Sequence, residues 1–223
     1  GEHRLNYKFD RGSRVIDLDS EWRNPQLSMS STFIKAECLE GLEFDSRLAF
    51  AEDAQLMQKI LSNRCALGVV HNANYWYRRR SDGQDSAIQT SGANPKWYLP
   101  YMEHFQLETI RYYKERFGYV PLFIQYTLMY DLQWRFRVSK ISEDVLSKEE
   151  KEEYFRMMKA ILTDIDDMVI MSQRSIFREH KNFICGIKND DPCTVIKRAG
   201  DVVMRYDSGA LFKISENPAR FEF

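Results

Sequence analysis

The hydrophobic period of the sequence changes twice along the chain, and this limits the folds that the chain can adopt. Between residues 95 and 170 the apolar side chains recur at offsets of three and four residues, whereas both flanking regions contain short β-branched and aromatic runs typical of strands. The sequence therefore predicts an α/β fold in three parts: an α/β segment (1–93), a helical segment (94–190) and the start of a β-rich segment (191–223).

Individual elements follow from the same patterns. Ser147 and Glu150 have the spacing of a capping box, which predicts the start of a helix, and Gly118 predicts the end of one. After Pro192 the alternation predicts hairpin strands with turns at Gly200 and Asp207 to Gly209. The other predicted elements are strands over 14–18, 27–36 and 67–79, helices over 52–63, 95–118, 121–138 and 147–169, and a short helix from Ser175.

Composition excludes several classes of protein. The formal net charge is -1, which gives no reason to expect binding to nucleic acid. The four cysteines lie far apart and predict free thiols in a reducing compartment. The most apolar stretch, Val120 to Phe136, contains Gln125, Asp131 and Arg135, which predicts a buried helix and no membrane span. Both ends of the chain break off in incomplete patterns, so we expect a piece of a longer protein.

The pair Glu52-Asp53 is the strongest candidate for chemistry. Asp53 opens a helical pattern and lies on the same face as Leu56, Met57 and Ile60. An acid in a first turn can simply satisfy free N–H groups and complement the helix dipole. A carboxylate that points toward the apolar side is also suited to take a proton from a hydroxyl group. On spacing alone, both interpretations stay open.

Two further patterns involve charged residues. The run Arg78, Arg79 and Arg80, followed by Ser86, is either a solvated basic rim or a clamp for phosphate oxygens. The pair Asp17 and Asp19 has the D-x-D spacing that can hold a divalent metal, but the tripeptide is too short to be specific. The arginine run therefore favours a phosphate contact over a solvated rim. The Asp17 and Asp19 pair is only weak support for a metal site.

Together these residues resemble a known family. The stretch "STFIKAECLEGLEFDSRLAFAEDAQLMQKIL", followed by an apolar strand and "YWYRRRSDGQDSAIQ", is similar to the second half of family-two inverting glycosyltransferases with the GT-A fold. The similarity covers about residues 1–140 and is greatest to enzymes of bacterial capsule and teichoic-acid assembly. It implies a partial GT-A-like mixed sheet segment, then a helical segment and a short C-terminal β segment.

The resemblance assigns roles to particular residues. Asp53 matches the base that deprotonates the acceptor hydroxyl, and Glu52 matches its companion. Ser30, Ser31 and Thr32 would lie on the acceptor side of the cleft. The basic run (Arg78, Arg79, Arg80) and Ser86 would close over the donor diphosphate.

The resemblance also implies what the chain lacks. The strand-rich nucleotide-binding half and the metal-holding D-x-D of the family are missing, because Asp17 and Asp19 lie too close to Glu52-Asp53. A divalent metal, Mg or Mn, is expected in the intact protein with most of its ligands outside this chain. The implied partners are a nucleotide-sugar donor, a glycan or lipid-linked acceptor and the missing N-terminal half of the same domain.

Two functions therefore stay open from the sequence. The first is a glycosyltransferase fragment that acts in the cytoplasm, with peripheral attachment to the inner face of the plasma membrane left open. The second is a non-catalytic docking module of a larger cell-envelope protein, in which Glu52-Asp53 is a helix cap. The position of Asp53 on the apolar face favours the enzyme, since a cap does not need that position.

Overall fold

The structure is a computed structural model that describes residues 3–76, 91–138, 141–189, 194–198, 201–206 and 213–214. It divides into two compact units, Gly1–Thr127 and Leu128–Phe223. The elements are mixed α and β and mostly helical, which confirms the predicted α/β class. The GT-A-like arrangement and the division at residues 93 and 190 stay predictions.

The first unit contains a two-stranded antiparallel sheet. Strand β1 (Arg14–Asp17) pairs with β2 (Ala66–Val69), with Ile16 opposite Leu67. Ile16, Leu67 and Val69 are buried, whereas Val15 is exposed. The alternation of the side chains thus gives the small sheet one core-facing side.

Helix α1 (Glu52–Asn63) lies between the two strands in the chain, with the bounds that the sequence predicted. Its apolar stripe, including Leu56, Met57 and Ile60, is buried. It contacts a long helical run made of α2 (Leu99–Tyr101), a π-helical stretch (Met102–Leu107) and α3 (Glu108–Phe117).

The long helical run confirms most of its predicted stripe. Met102, Phe105, Thr109 and Tyr113 are buried, although Phe117 is 40% exposed. Gly118 adopts the left-handed conformation, with φ +82°, and its N–H donates to Lys114 O. It ends α3 as predicted, because glycine takes this conformation without a steric penalty.

Helix α4 (Leu122–Leu132) follows Pro121 and contains the boundary between the units. Its apolar side chains are buried on more than one side of the helix, and they include Phe123, Ile124, Leu128, Met129 and Leu132. This confirms the predicted buried helix, although it is shorter than predicted and gives way to a turn and a 3-10 helix (Arg135–Arg137).

The second unit contains α5 (Lys148–Thr163), α6 (Asp167–Ser172) and α7 (Arg178–Lys188). The predicted capping box begins α5: the Glu150 N–H donates to Ser147 Oγ at 3.2 Å, and the Ser147 N–H donates to Glu150 Oε2 at 2.7 Å. Strands β3 (Thr194–Arg198), β4 (Asp201–Tyr206) and β5 (Lys213–Ile214) form an antiparallel sheet in the order 3-4-5. The predicted turns at Gly200 and Asp207 to Gly209 lie outside the described residues.

The predicted strand over 27–36 is wrong. The chain turns at Met29 to Thr32, where the Thr32 N–H donates to Met29 O at 3.0 Å, and then forms a 3-10 helix (Ala36–Leu39). The hydroxyl groups explain the difference, because Thr32 Oγ1 donates to Ser28 O at 2.9 Å and so bonds the backbone locally. Such local bonds compete with a strand ladder.

Other boundaries also differ from the sequence patterns. Of the strand predicted over 67–79, the described part is a strand over Ala66–Val69, followed by a turn and irregular chain at residues 70–76. Residues 77–79 lie outside the described residues. The helix predicted over 147–169 ends at Thr163, although Ile165 and Val169 beyond it are buried. The short helix predicted from Ser175 is α7, which begins at Arg178.

Two predictions from composition hold for the described residues. Cys38, Cys65 and Cys185 are free thiols, and Cys193 lies outside the described part. Among the helices that the structure describes, none combines the length and the apolar character that a membrane crossing requires.

Replacing Met129 with Asp tests the burial of α4. Met129 is 0% exposed, and an unpaired charge there is expected to lower the free energy of unfolding by several kcal/mol. The matched control is Met168→Asp, because Met168 is 52% exposed in the first turn of α6, where an acid suits the helix dipole. Thermal unfolding should show a large loss for Met129→Asp and almost none for the control. Equal melting temperatures would show that α4 is not buried.

Candidate functional site

The candidate site lies at the N-terminus of α1. The residue before the helix, Ala51, has φ +63°, in the left-handed region that L-residues other than Asn and Asp rarely occupy. This conformation costs roughly 1 kcal/mol and directs the chain into the first turn, which carries Glu52 and Asp53. Strained backbone of this kind is found preferentially at functional sites.

Asp53 joins the helix to a second segment of the chain. Its Oδ1 accepts the Ala54 N–H at 2.7 Å, which satisfies one of the free donors of the first turn. Its Oδ2 accepts the Met29 N–H at 3.4 Å. The carboxylate is half-buried, and Glu52 beside it is also half-buried. One oxygen of Asp53 thus satisfies a first-turn N–H, and the other points to the turn at Met29. Both interpretations of Asp53 from the sequence stay predictions.

The turn beside Asp53 contains the residues that the sequence predicted for acceptor binding. Ser30 and Ser31 are exposed, and Ser30 Oγ lies 2.8 Å from Ser28 Oγ. Thr32 is half-buried, and its hydroxyl group donates to Ser28 O. Thus Asp53 and the predicted acceptor residues are brought together, although the Thr32 hydroxyl is already used within the turn.

A buried lysine contacts the segment that leads into this turn. Lys8 is 5% exposed, and its Nζ donates to Pro25 O at 2.5 Å and to Gln26 Oε1 at 2.8 Å. Burial lowers the pKa of Lys8 to about 8. Gln26 Nε2 donates to Ser28 O at 2.7 Å and to Thr32 Oγ1 at 3.1 Å, so that the lysine is linked to the turn through one amide.

An ion-pair cluster fixes the loop that leads into α1. Arg47 Nη2 lies 2.6 Å from Asp45 Oδ2 and 2.8 Å from Glu108 Oε2, so the loop is tied to α3. The Arg47 guanidinium holds the pKa of Asp45 well below its usual range through a side-chain hydrogen bond. Asp45 is largely buried, whereas half of the Arg47 side chain is exposed.

A cavity of about 260 Å³ lies between α1 and α3 in the first unit. Its lining includes Gln55, Gln58, Thr109 and Tyr113, but it includes neither Asp53 nor the turn at Ser30. The candidate site at the N-terminus of α1 is therefore separate from this cavity.

The remaining predicted residues are not among those that the structure places beside Asp53. The donor-side residues Arg78, Arg79, Arg80 and Ser86 lie outside the described residues. Asp17, of the D-x-D pair, accepts the Asp19 N–H at 3.1 Å and the Ser20 hydroxyl at 2.8 Å, so its carboxylate stabilises a turn. Within the described ranges, no group of three or more Asp, Glu, His or Cys side chains could hold a metal ion.

Several residues at the site were not singled out from the sequence. Asp45 and Arg47 lie inside the "FDSRL" stretch, and their i, i+2 spacing of opposite charges was a usable signal. Lys8 and Gln26 carried no such signal, because only the folded chain brings residues 18 positions apart into contact.

Comparisons with known proteins agree with one part of the predicted resemblance. The chain is 37% identical over 176 residues to the minor teichoic acid biosynthesis protein GgaB of Bacillus subtilis (strain 168), over 79% of this chain and 19% of GgaB. It is 24% identical over 176 residues to the minor teichoic acid biosynthesis protein GgaA of the same organism, over 78% of this chain and 39% of GgaA. No family model and no solved structure matches the chain.

The chain thus spans about a fifth of GgaB and about two fifths of GgaA. It is related to proteins named for teichoic acid biosynthesis, as the resemblance implied. Its relation to glycosyltransferase family two stays a prediction.

Replacing Asp45 with Asn tests the ion-pair cluster. The folded-state pKa of Asp45 is depressed, so its stabilisation is present above the unfolded pKa of about 4 and is lost as the pH falls below that value. Because Arg47 is half exposed, we expect Asp45→Asn to cost about 1 kcal/mol at pH 7, with a lower melting temperature.

The difference between wild type and Asp45→Asn should shrink when thermal melts are repeated at pH values from 5 to 3. Glu43→Gln, at an exposed position, is the control for the loss of one negative charge. A difference that stays constant over this pH range would contradict the ion pair as its source.

Proposed function

We propose that this chain is the acceptor-side part of an inverting glycosyltransferase that builds a teichoic-acid-type or other cell-surface polysaccharide. The observation that carries the proposal is the contact between Asp53 Oδ2 and the Met29 N–H, which sets a carboxylate against a turn with exposed hydroxyl groups. The similarity to proteins named for teichoic acid biosynthesis supports the class of product.

In the proposed reaction Asp53 is the general base. Its carboxylate takes the proton of the acceptor hydroxyl, whose oxygen then forms a bond to the anomeric carbon of the donor sugar. The bond from that carbon to the nucleotide diphosphate breaks on the opposite side, and the diphosphate leaves with the electron pair. Attack from the opposite face inverts the configuration at the anomeric carbon.

The Asp53 contacts are suited to this reaction. Oδ1 is held by the Ala54 N–H at 2.7 Å, which fixes the orientation of the carboxylate. The contact of Oδ2 with the Met29 N–H is long, at 3.4 Å, so this oxygen keeps capacity for a closer hydrogen bond to an acceptor hydroxyl. Ser30 and Ser31, both exposed, would bind neighbouring hydroxyl groups of the acceptor.

Most of the donor side of the proposed site would lie in other parts of the protein. Arg78, Arg79, Arg80 and Ser86 are proposed to contact the donor diphosphate. The described residues do not fit a metal site, because the carboxylate of Asp17 is used within a turn and no cluster of ligands forms among them. A Mg or Mn ion would therefore be held mostly outside this chain. The proposed place of action is the cytoplasmic face of the plasma membrane.

A docking module is the second candidate function. It is favoured by one observation, namely that Asp53 also satisfies the Ala54 N–H as a helix-capping group does. The two functions give different results when the carboxylate is changed to an amide.

Asp53→Asn in the intact protein tests the general base. Asn keeps an oxygen for the Ala54 N–H and loses only the favourable interaction of the charge with the helix dipole, so the melting temperature should fall slightly. Turnover should fall by roughly 10² to 10⁴-fold, because the amide cannot accept a proton. Glu52→Gln should have a milder effect, and Asp19→Asn, at an exposed position, is the matched control. A folded Asp53→Asn protein with near wild-type turnover would exclude Asp53 as the base and favour the docking module.

Isothermal titration calorimetry tests the proposal that this chain binds the acceptor and that the rest of the protein binds the donor. We expect the isolated 223-residue chain to bind nucleotide-sugars weakly or not at all in the presence of Mn²⁺, because the donor-binding half is proposed to lie elsewhere. The intact protein should bind its donor measurably under the same conditions. Low-micromolar binding by the isolated chain would overturn the acceptor-side assignment.

A further inference from the structure

Lys8 has an environment that is unusual for a lysine. It lies in a 3-10 helix (Asn6–Phe9) and is 5% exposed, with its Nζ donating to a carbonyl oxygen, Pro25 O, and to an amide oxygen, Gln26 Oε1. Both acceptors are neutral. Among the described residues, no carboxylate forms a salt bridge with Lys8, so the ammonium group is buried without a counter-charge there.

Stability does not explain why a lysine occupies this position. Removing an ammonium group from water is costly, and neutral acceptors recover only part of that cost. Removing the amino group would leave Pro25 O and Gln26 Oε1 without this donor, which sets a small cost against the desolvation that is saved. A methionine would fill much of the same volume without the desolvation penalty, so the amino group is expected to act through what it contacts.

The contacts of Lys8 lead to the candidate base in three steps. Lys8 Nζ orients the amide of Gln26 by donating to its Oε1. The Nε2 of that amide then donates to both Ser28 O and Thr32 Oγ1, which closes the turn. The closed turn then places the Met29 N–H against Asp53 Oδ2.

The backbone of the same residue is also tied to α1. Gln58 is 0% exposed, and its Nε2 donates to Gln26 O at 2.8 Å and to Ala54 O at 3.2 Å. The backbone of Gln26 is therefore fixed relative to the helix, and its side-chain amide is the part whose orientation Lys8 decides. If the amide rotated, the oxygen would face Ser28 O and the turn would lose both donors.

We propose that Lys8 is a positioning residue for the acceptor: through the Gln26 amide it holds the turn from Ser28 to Thr32 at the distance from Asp53 that an acceptor hydroxyl requires. This inference rests on the proposed function of Asp53 as a base. It predicts that loss of the amino group impairs the reaction without unfolding the protein.

Lys8→Met in the intact protein tests the inference. We expect kcat to fall on the order of 10 to 100-fold, because displacement of a bound reactant by about 1 Å has effects of this size. The KM for the donor should not change, and the melting temperature should change only slightly, because the desolvation that is saved offsets the two lost hydrogen bonds. Lys35→Met is the matched control, because the Lys35 side chain is 71% exposed. Wild-type kcat in folded Lys8→Met would overturn the inference.

Hydrogen–deuterium exchange on the same variants separates positioning from a general structural role. Lys8→Met should increase exchange in the peptide that covers residues 26–32 and leave exchange in α1 unchanged. Faster exchange throughout the first unit, with a lower melting temperature, would show that Lys8 supports the fold as a whole and would overturn the inference.

Gln26→Glu tests the relay without removing Lys8. The new carboxylate would form an ion pair with Lys8, which offsets part of the loss in stability, but it has no N–H to donate to Ser28 O and Thr32 Oγ1. We expect kcat to fall as in Lys8→Met. A stable Gln26→Glu protein with wild-type kcat would overturn the relay and remains informative if Lys8→Met does not fold.

A double-mutant cycle distinguishes failure of this inference from failure of the proposed function. If Lys8 acts through Asp53, Lys8→Met should lower kcat much less in the Asp53→Asn protein than in the wild type. Full activity of the single variant Asp53→Asn would overturn the proposed function. An inactive Asp53→Asn protein together with a fully active Lys8→Met protein would sink only the positioning role.

Discussion

The hydrogen bonds made by the side chains of helix α1 are the interactions on which the candidate site depends. Gln55 and Gln58 are buried amides, and each donates to a backbone oxygen of another segment: Gln55 to His104 O in the π-helical stretch, and Gln58 to Gln26 O before the turn. The Tyr113 hydroxyl in turn donates to Gln58 O at 2.7 Å. Apolar packing alone would allow these segments to slide along the helix, whereas directional bonds to particular backbone atoms fix their position. The turn at Met29 is thus held relative to the same helix that carries Asp53.

This arrangement allows Asp53 to satisfy a first-turn N–H of the helix and to be a candidate base at the same time. The two functions use different oxygens, because Oδ1 accepts the Ala54 N–H at 2.7 Å and Oδ2 makes the longer contact with the Met29 N–H. A residue used only as a cap gains nothing from lying against a second segment. A base requires a fixed carboxylate with one oxygen that can accept a further proton, and the N-terminus of a helix supplies the fixed donors for this purpose.

The parts of the fold that the sequence predicted are those determined by local interactions. The bounds of α1, the capping box at Ser147 and the end of α3 at Gly118 depend on residues within one or two helical turns. The segment 27–36 was predicted as a strand because its composition suits one, but hydroxyl groups that bond their own backbone decided its structure. Asp53 could be singled out as a candidate from spacing and resemblance, whereas Lys8 could not, because its contacts arise only when distant segments meet.

The spacing of the "FDSRLAFAED" stretch has a physical explanation in this structure. Its first half carries Asp45 and Arg47, which tie the loop to Glu108 on α3, and its second half carries the acid pair at the start of α1. Between them Ala51 adopts a left-handed conformation, which is strained for alanine. A strained residue keeps its conformation only when the chain is held on both sides, and here the ion pairs hold one side while the buried face of α1 holds the other. The direction in which Asp53 leaves the backbone is therefore set by the loop before the helix as well as by the helix itself, which explains why the charged pair and the acid pair occur in one short stretch.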